Sequence, residues 1–110
     1  MTKVTIFQNA SGRTMGFEVF DHSGYAEAGE DIVCAAISML VINTVNSLER
    51  FTEDSYEAEV EEDSARVRIL FDEEPSHDAE LLLKSLVSGL TDMQDEESYK
   101  DFIDVIFVEV

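Results

Sequence analysis

The chain has 110 residues, 45% of them hydrophobic, which suits a single globular domain over residues 1–110. Its 25 acidic and 7 basic side chains give a formal net charge of −18. This charge disfavours nucleic acid and anionic membranes as direct partners, because their phosphates would be repelled. A basic protein is compatible with it, and so is a role in solubility alone. The single cysteine excludes an intramolecular disulfide and predicts a cytoplasmic protein, since the cytosol is reducing.

The N-terminal part of the chain predicts two strands joined by a turn. The first runs from Val4 to Phe7, and the turn Asn9-Ala-Ser-Gly12 follows it. Alternation of apolar and other side chains then predicts a second strand from Met15 to about His22.

A glycine-bearing loop and an apolar helix come next. The loop spans Ser23 to Glu30, and the helix is predicted to begin near Ile32 and end near Arg50. Asp31 is the predicted N-cap, which places Cys34 at the third helical position. The helix is apolar nearly all round, so we expect burial between layers or at a subunit interface. It is predicted to be too short and too polar for a membrane span.

The second half of the chain predicts a hairpin, a second helix and a last strand. Apolar and polar side chains alternate in Tyr56–Glu61 and in Ala65–Phe71, which predicts two strands, each with one buried and one solvent-exposed face. On the exposed face Arg66 and Arg68 can lie opposite glutamates. Ser76 is the predicted cap of the second helix. The run from Phe102 to Val110 is apolar on both faces and predicts a central strand. The fold class is therefore α+β, a single mixed sheet of about five strands with two helices in the order ββαββαβ, covering one face.

His22 and Cys34 are the candidate chemical groups. A thiol in the first turn of a helix gains from the macrodipole and from unpaired N–H groups, both of which favour a thiolate. The surrounding acids oppose this, so a protonated His22 near the sulfur would be needed. The competing interpretation is that Cys34 is a small buried hydrophobe. Two histidines and one cysteine at these distances give no metal-ligand pattern, and no cofactor is expected.

The segment around these groups resembles a known signature. His22-Ser-Gly-Tyr-Ala, followed by Gly29-Glu-Asp-Ile-Val-Cys-Ala-Ala-Ile-Ser38, is similar to the motif of the bacterial ribosomal-processing cysteine proteases, the Prp family. The resemblance implies a homodimeric Cys–His endopeptidase. Such enzymes remove a short N-terminal extension from the large-subunit ribosomal protein L-twenty-seven, cutting after an aromatic residue. Family members usually carry glycine before the histidine, whereas this chain has Asp21, which puts the freedom of the loop in doubt.

The roles that we predict follow from both lines of reasoning. Cys34 is the nucleophile and His22 is the general base, with N–H groups at the helix start, including that of Cys34, as oxyanion donors. Asp31 caps the helix or, alternatively, orients His22. Ser38 lies one turn after Cys34, where it can support the site or bond to its own backbone.

A loop that orders when peptide binds completes the prediction. Its residues are Ser23, Gly24, Tyr25 and Gly29. The expected partner is a basic ribosomal protein precursor, bound as a peptide substrate. Two alternatives stay open: a non-enzymatic acidic homodimer that binds a basic ribosomal protein, and a thiol redox sensor, which the lack of a second cysteine disfavours.

Overall fold

The computed structural model describes residues 1–21, 28–61 and 66–110, with the backbone alone for Asp21 and residues 28–31. Two helices and one mixed sheet of five strands follow one another in the predicted order, ββαββαβ, which confirms the fold class. The elements are β1 (Thr2–Gln8), β2 (Thr14–Asp21), α1 (Ala28–Phe51), β3 (Tyr56–Glu61), β4 (Arg66–Phe71), α2 (His77–Asp95) and β5 (Ile103–Glu109).

The strands lie in the order β3-β4-β2-β1-β5. All neighbouring pairs are antiparallel except β1 and β5, which run parallel from Thr2 opposite Ile103 to Gln8 opposite Glu109. The prediction of a central last strand is therefore wrong, because β5 forms one edge of the sheet. Its apolar side chains are not buried on both faces, because Ile106, Phe107 and Val108 near the C-terminal end are exposed.

The core lies on the sheet face that the helices cover. On β1 the alternate residues Val4 and Ile6 are fully buried, as strand geometry requires when one face is packed. Helical residues Val33, Ile37 and Leu83 belong to the same buried cluster.

A side chain from α2 also reaches the free edge of the sheet, where the Gln94 Oε1 accepts a hydrogen bond from the N–H of Val105. This contact pairs one of the edge groups that would otherwise be open to another strand.

Helix α1 begins at Ala28, four residues before the predicted start at Ile32. Asp31 therefore lies inside the helix, and its predicted role as N-cap is wrong. The sequence prediction failed because Asp31 before an apolar run is a strong start signal, while Ala28-Gly-Glu also accepts helical backbone.

The segment Ile32–Phe51 of α1 has a mean hydropathy of 1.6 and is long enough, by length and composition, to cross a membrane. The prediction that this helix is too short for a span is therefore wrong. About one third of the segment is buried inside the domain, where Val33, Ile37 and Leu48 pack into the core. Packing of a core helix against a sheet thus accounts for the buried part of this hydropathy, while Ile32, Met39 and Ile42 are exposed.

Helix α2 starts as predicted, with Ser76 as its N-cap. The Ser76 hydroxyl oxygen accepts a hydrogen bond from the N–H of Ala79 at 3.2 Å, and Asp78 and Glu80 occupy the first turn. One face of α2 packs into the core: Ala79, Leu83, Leu86 and Leu90 are buried, and Leu82 and Met93 are partly buried.

Strand β3 differs from its prediction, since it has no well-buried face. Ala58 is exposed, and the Val60 side chain is 67% exposed. The reason is position: β3 is the edge strand farthest from β1, and no described residue covers its apolar side fully. On the other face Arg66 pairs with Glu59 and Glu61, as predicted, and it also reaches Glu18 on β2 at 2.8 Å.

Candidate active site

Cys34 lies in the second turn of α1 and is partly buried, whereas Val33 before it and Ile37 after it in the helix belong to the core. Its Sγ is 3.5 Å from the Oγ1 of Thr2, and either atom can be the donor in that hydrogen bond. Thr2 is 32 positions away along the chain, so the contact exists only because α1 packs over the start of β1. The sulfur is therefore held between a helix and the sheet.

Thr2 is fixed by the strands on both sides of it. Its N–H donates to the carbonyl oxygen of Phe102 at 2.9 Å, and it is paired with Asp21 on β2 and Ile103 on β5. The Thr2 side chain is 2% exposed and shares the core face with Val4. Sequence reasoning missed it. The available signal was a hydroxyl at a position where the alternation of β1 calls for an apolar side chain.

The early start of α1 changes the local electrostatics of the thiol. The unpaired N–H groups of an α-helix belong to its first four residues, and that of Cys34 is not among them. The prediction that this N–H is an oxyanion donor is therefore wrong. The field of the helix dipole also falls off within the first turn, so it favours the thiolate less than the sequence suggested.

Most of the other predicted site residues lie outside the described residues. His22 falls within 22–27 and so do Ser23, Gly24 and Tyr25, which leaves the geometry of the pair with Cys34 and the loop as predictions. Gly29 and Asp31 lie in the first turn of α1, and a role of Asp31 in orienting His22 stays a prediction.

Ser38 is exposed one helical turn after Cys34, on the wall of an apolar groove of about 210 Å³ between α1 and β3. We refer to it as the α1–β3 groove, lined by Val19, Ile37, Ser38, Val41, Ile42, Val60, Glu61, Arg66 and Val67. A second hollow of about 190 Å³ continues it along α1 towards Val45 and Asn46. Cys34 does not line the groove, but Ile37 and Ser38, which follow it by one helical turn, do.

The second histidine and the arginines have structural roles. His77 is exposed at the start of α2, with its Nδ1 3.2 Å from the Asp78 carboxylate. The hydrogen bond from Arg66 to Glu18 raises the pKa of the Arg66 guanidinium above its ordinary value. Arg68 lies over the Phe7 ring, 5.3 Å from its centre. These contacts occupy the arginines on the sheet face that is not part of the core.

A separate acidic cleft of about 430 Å³ lies at the ends of α1 and β4. Its lining residues are Glu53, Asp54, Ser55, Asp72, Glu73 and Glu74, none of which belongs to the predicted site. Asp54 accepts hydrogen bonds from the Ser76 hydroxyl at 2.6 Å and from the Ser76 N–H at 2.7 Å. The bond from the hydroxyl is the main reason that the pKa of this carboxyl is lowered. These hydrogen bonds connect the loop after α1 to the start of α2.

Comparisons with known proteins agree with the resemblance read from the sequence. The sequence profile of the family described as "Cysteine protease Prp" matches residues 1–104. The chain is 28% identical to the "Ribosomal processing cysteine protease Prp" of Bacillus subtilis over 105 residues, which covers 92% of each chain. It is 24% identical to the protein of the same name from Staphylococcus aureus, covering 87% of this chain and 91% of that one.

Solved structures share the fold along nearly the whole chain. The crystal structure of the S. aureus Prp protease with a substrate peptide superposes with a TM-score of 0.89 at 22% identity, covering 98% of this chain and 100% of that one. A Streptococcus mutans protein superposes with a TM-score of 0.85 at 25% identity, covering 100% and 99%.

Proposed function

The chain belongs to the cysteine protease Prp family, and from that membership we propose that it is a ribosomal-processing endopeptidase in which Cys34 and His22 form the catalytic dyad. The single observation that carries the proposal is the position of the Cys34 thiol. It is partly buried on α1, one helical turn before the groove residues Ile37 and Ser38, in a chain whose family is described as cysteine proteases. The relatives in B. subtilis and S. aureus are named as ribosomal processing proteases.

In the proposed reaction, His22 takes the proton of the Cys34 thiol and the thiolate attacks the carbonyl carbon of the scissile peptide bond. The imidazolium then gives its proton to the leaving amine as the C–N bond breaks. Water hydrolyses the resulting thioester, with His22 again acting as base, and the free thiol returns. Asp21, the residue before His22 in the sequence, pairs with Thr2, which in turn contacts Cys34. This pairing supports the assignment of His22 rather than His77 as the base.

The substrate that we propose is a basic ribosomal protein with an N-terminal extension, the large-subunit protein L-twenty-seven, cut after an aromatic residue. The net charge of −18 favours encounter with a basic protein. The α1–β3 groove offers apolar walls, including Ile37 and Ile42, to side chains that flank the cut. The loop that contains Ser23, Gly24 and Tyr25 is proposed to close over the bound peptide.

The test is cleavage of the extended ribosomal protein by purified variants, followed by mass spectrometry. Cys34→Ala removes the nucleophile and little volume, so we expect a folded protein without measurable cleavage. His22→Ala should reduce the rate by about a thousandfold or more, and the double variant should be no worse than either single one, since the two groups act as a unit.

His77→Ala is the matched control, because this histidine is exposed and distant in sequence from the thiol. It should keep full activity. Cleavage by a folded Cys34→Ala protein would remove the proposal. Loss of activity in His77→Ala together with an active His22→Ala would show that the wrong histidine had been assigned. Binding of the native protein without any cleavage would favour the non-enzymatic module.

We also propose a two-fold symmetric homodimer, the commonest closed assembly. The exposed side of α1 supports it, because Ile32 and Met39 are both more than 60% exposed there and the sequence from Ile32 to Leu48 contains no charged side chain. In a chain with 25 acidic side chains, an uncharged stretch of that length is a surface suited to a second copy.

A further inference from the structure

The Thr2 hydroxyl is placed where an aliphatic side chain would satisfy the fold equally well. Thr2 lies on the core face of β1 with Val4 and Ile6, and all three are nearly or fully buried. A buried hydroxyl destabilises the fold unless it has a hydrogen-bond partner. Among the described residues, every fully buried side-chain nitrogen or oxygen has one. For Thr2 that partner is the sulfur of Cys34, at 3.5 Å.

Sulfur is a weak hydrogen-bond acceptor, and another buried threonine uses a backbone oxygen instead. Thr44 on α1 donates to the backbone carbonyl oxygen of Leu40 at 2.7 Å, the usual solution for a helical threonine. The Thr2 side chain instead bridges two elements, from the first residue of β1 to the second turn of α1. Its backbone is held by pairing with Asp21 and Ile103, so the hydroxyl is directed by a rigid strand and not by a flexible loop.

We infer that Thr2 is a positioning residue for the Cys34 nucleophile: its hydroxyl donates a hydrogen bond to the thiolate and holds the sulfur in its attacking position. The direction of the hydrogen bond follows from which of the two atoms carries a proton. Against a neutral thiol either atom can donate, but a thiolate has no proton, so only Thr2 can donate to it. A hydrogen bond to a charged acceptor is stronger than one to a neutral acceptor, so the contact stabilises the thiolate more than the thiol.

This role compensates for the position of the thiol in the helix. Cys34 lies beyond the first turn of α1, where the helix N-terminus supplies little stabilisation to an anion. A donor on the neighbouring strand supplies part of what the helix does not. The inference rests on the proposed function in taking Cys34 as the nucleophile. Thr2 itself is 2% exposed and does not form part of the surface that meets peptide.

The test compares variants that keep or remove the hydroxyl. Thr2→Val preserves shape and removes the donor, Thr2→Ser keeps the donor, and Thr5→Val removes a hydroxyl from the opposite face of the same strand. The readout is the rate of Cys34 alkylation by iodoacetamide as a function of pH, with folding checked by circular dichroism. This readout does not depend on peptide cleavage.

For Thr2→Val we expect alkylation about three- to tenfold slower at pH 7, a rate profile shifted to higher pH, and equal rates once the thiol is fully ionised. Thr2→Ser and Thr5→Val should follow the native profile. With the peptide substrate, Thr2→Val should lower kcat and leave KM unchanged, because the hydroxyl acts on the thiolate and not on the peptide.

An unchanged pH profile in folded Thr2→Val overturns the inference. If Thr2→Val does not fold, Thr2→Ala takes its place, and the same profile shift relative to Thr2→Ser is required of it. A Thr2→Ser protein as slow as Thr2→Val also overturns the inference, since packing and not the hydroxyl would then be responsible. Cleavage by Cys34→Ala would remove the proposed protease dyad while leaving the alkylation result readable, so the two failures are distinguishable.

Discussion

The Cys34 side chain is neither fully buried nor fully exposed, and this intermediate position suits a nucleophile. A fully buried thiol behaves as an inert small hydrophobe, whereas a fully exposed one lacks fixed neighbours. Here Val33, one position earlier in α1, is completely buried, and Ile32, two positions earlier, is exposed. Helical periodicity thus places the thiol at the border of the core, where a contact from the sheet and access from solvent are both available.

Gly16 shows at the same scale how strictly the sheet constrains one residue. Its backbone has a φ of +155°, and an added Cβ would lie 2.0 Å from the carbonyl oxygen of Ile69 on the neighbouring strand. We expect Gly16→Ala to lower the free energy of unfolding by about 3 kcal/mol or more, because β2 and β4 must separate to admit a methyl group. Urea denaturation followed by circular dichroism measures this loss.

Gly12→Ala is the control for Gly16. Gly12 has a φ of +83°, but a Cβ there would meet nothing within 4 Å. The substitution should cost only about 1–2 kcal/mol, the strain of a left-handed backbone without a clash. Equal losses in the two variants would contradict the claim that contact between strands is what excludes a side chain at Gly16.

At the scale of elements, the loop after α1 and the cap of α2 stabilise each other. Ser76 caps α2 through its hydroxyl oxygen, while the same hydroxyl and the Ser76 N–H donate to the Asp54 carboxylate. The pKa of Asp54 is lowered below 3.8, first because of the hydrogen bond from the Ser76 hydroxyl. The charged carboxylate is therefore favoured in the folded state.

This linkage predicts a pH dependence with a definite sign. Because the folded pKa of Asp54 is lowered, its contribution to stability is present above about 3.8 and is lost as the pH falls through the folded value. We expect Asp54→Ala to lower the free energy of unfolding by about 1 kcal/mol at pH 7, once solvent screening of this half-buried residue is allowed for. The difference from the native protein should shrink on acidification below pH 3.8.

Glu53→Ala is the matched control, since it removes the same charge from the neighbouring exposed position. Its stability difference from the native protein should be small at both pH values. Urea titrations at pH 7 and pH 3 compare the two variants. A loss in Asp54→Ala that is the same at both pH values would show that charge on Asp54 does not take part.

At the scale of the whole molecule, the distribution of charge separates two surfaces. The chain is strongly acidic, but the exposed side of α1 and the α1–β3 groove form a mainly apolar region that includes Met39, Ile42 and Val60, with Glu61 and Arg66 as the charged residues of the groove lining. Acidic surfaces of two copies repel each other, so among the described residues this mainly apolar region is the surface that favours association. The proposed dimer and the proposed peptide site therefore lie on adjoining parts of α1.

Sedimentation velocity tests the dimer. The native protein is expected to sediment as a dimer at micromolar concentration, and Ile42→Asp as a monomer, because the substitution places a charge in the apolar region. Leu81→Asp is the control, since Leu81 on α2 is 59% exposed and Ile42 is 51% exposed. A native monomer would contradict the proposal, and so would a dimer that survives Ile42→Asp.

The sequence by itself determined the element order, the cap of α2 and the motif that contains His22 and Cys34. Each of these depends on local chemistry: alternation for strands, Ser76 before acidic residues for the cap, and a short run of residues for the motif. Family membership then follows from the chain as a whole.

Only the tertiary structure decided the place of β5 at the edge, the exposure of β3 and the contact of Thr2 with Cys34. An apolar run has the same sequence pattern in a central strand and in an edge strand. Periodicity indicates which face of a strand is buried, but it does not indicate which strands lie alongside it. The start of α1 was misplaced because Asp31 before an apolar run is a strong local start signal, although the helix begins at Ala28. Thr2 and Cys34 are 32 positions apart, and no local pattern couples a strand residue to a helix residue over that distance.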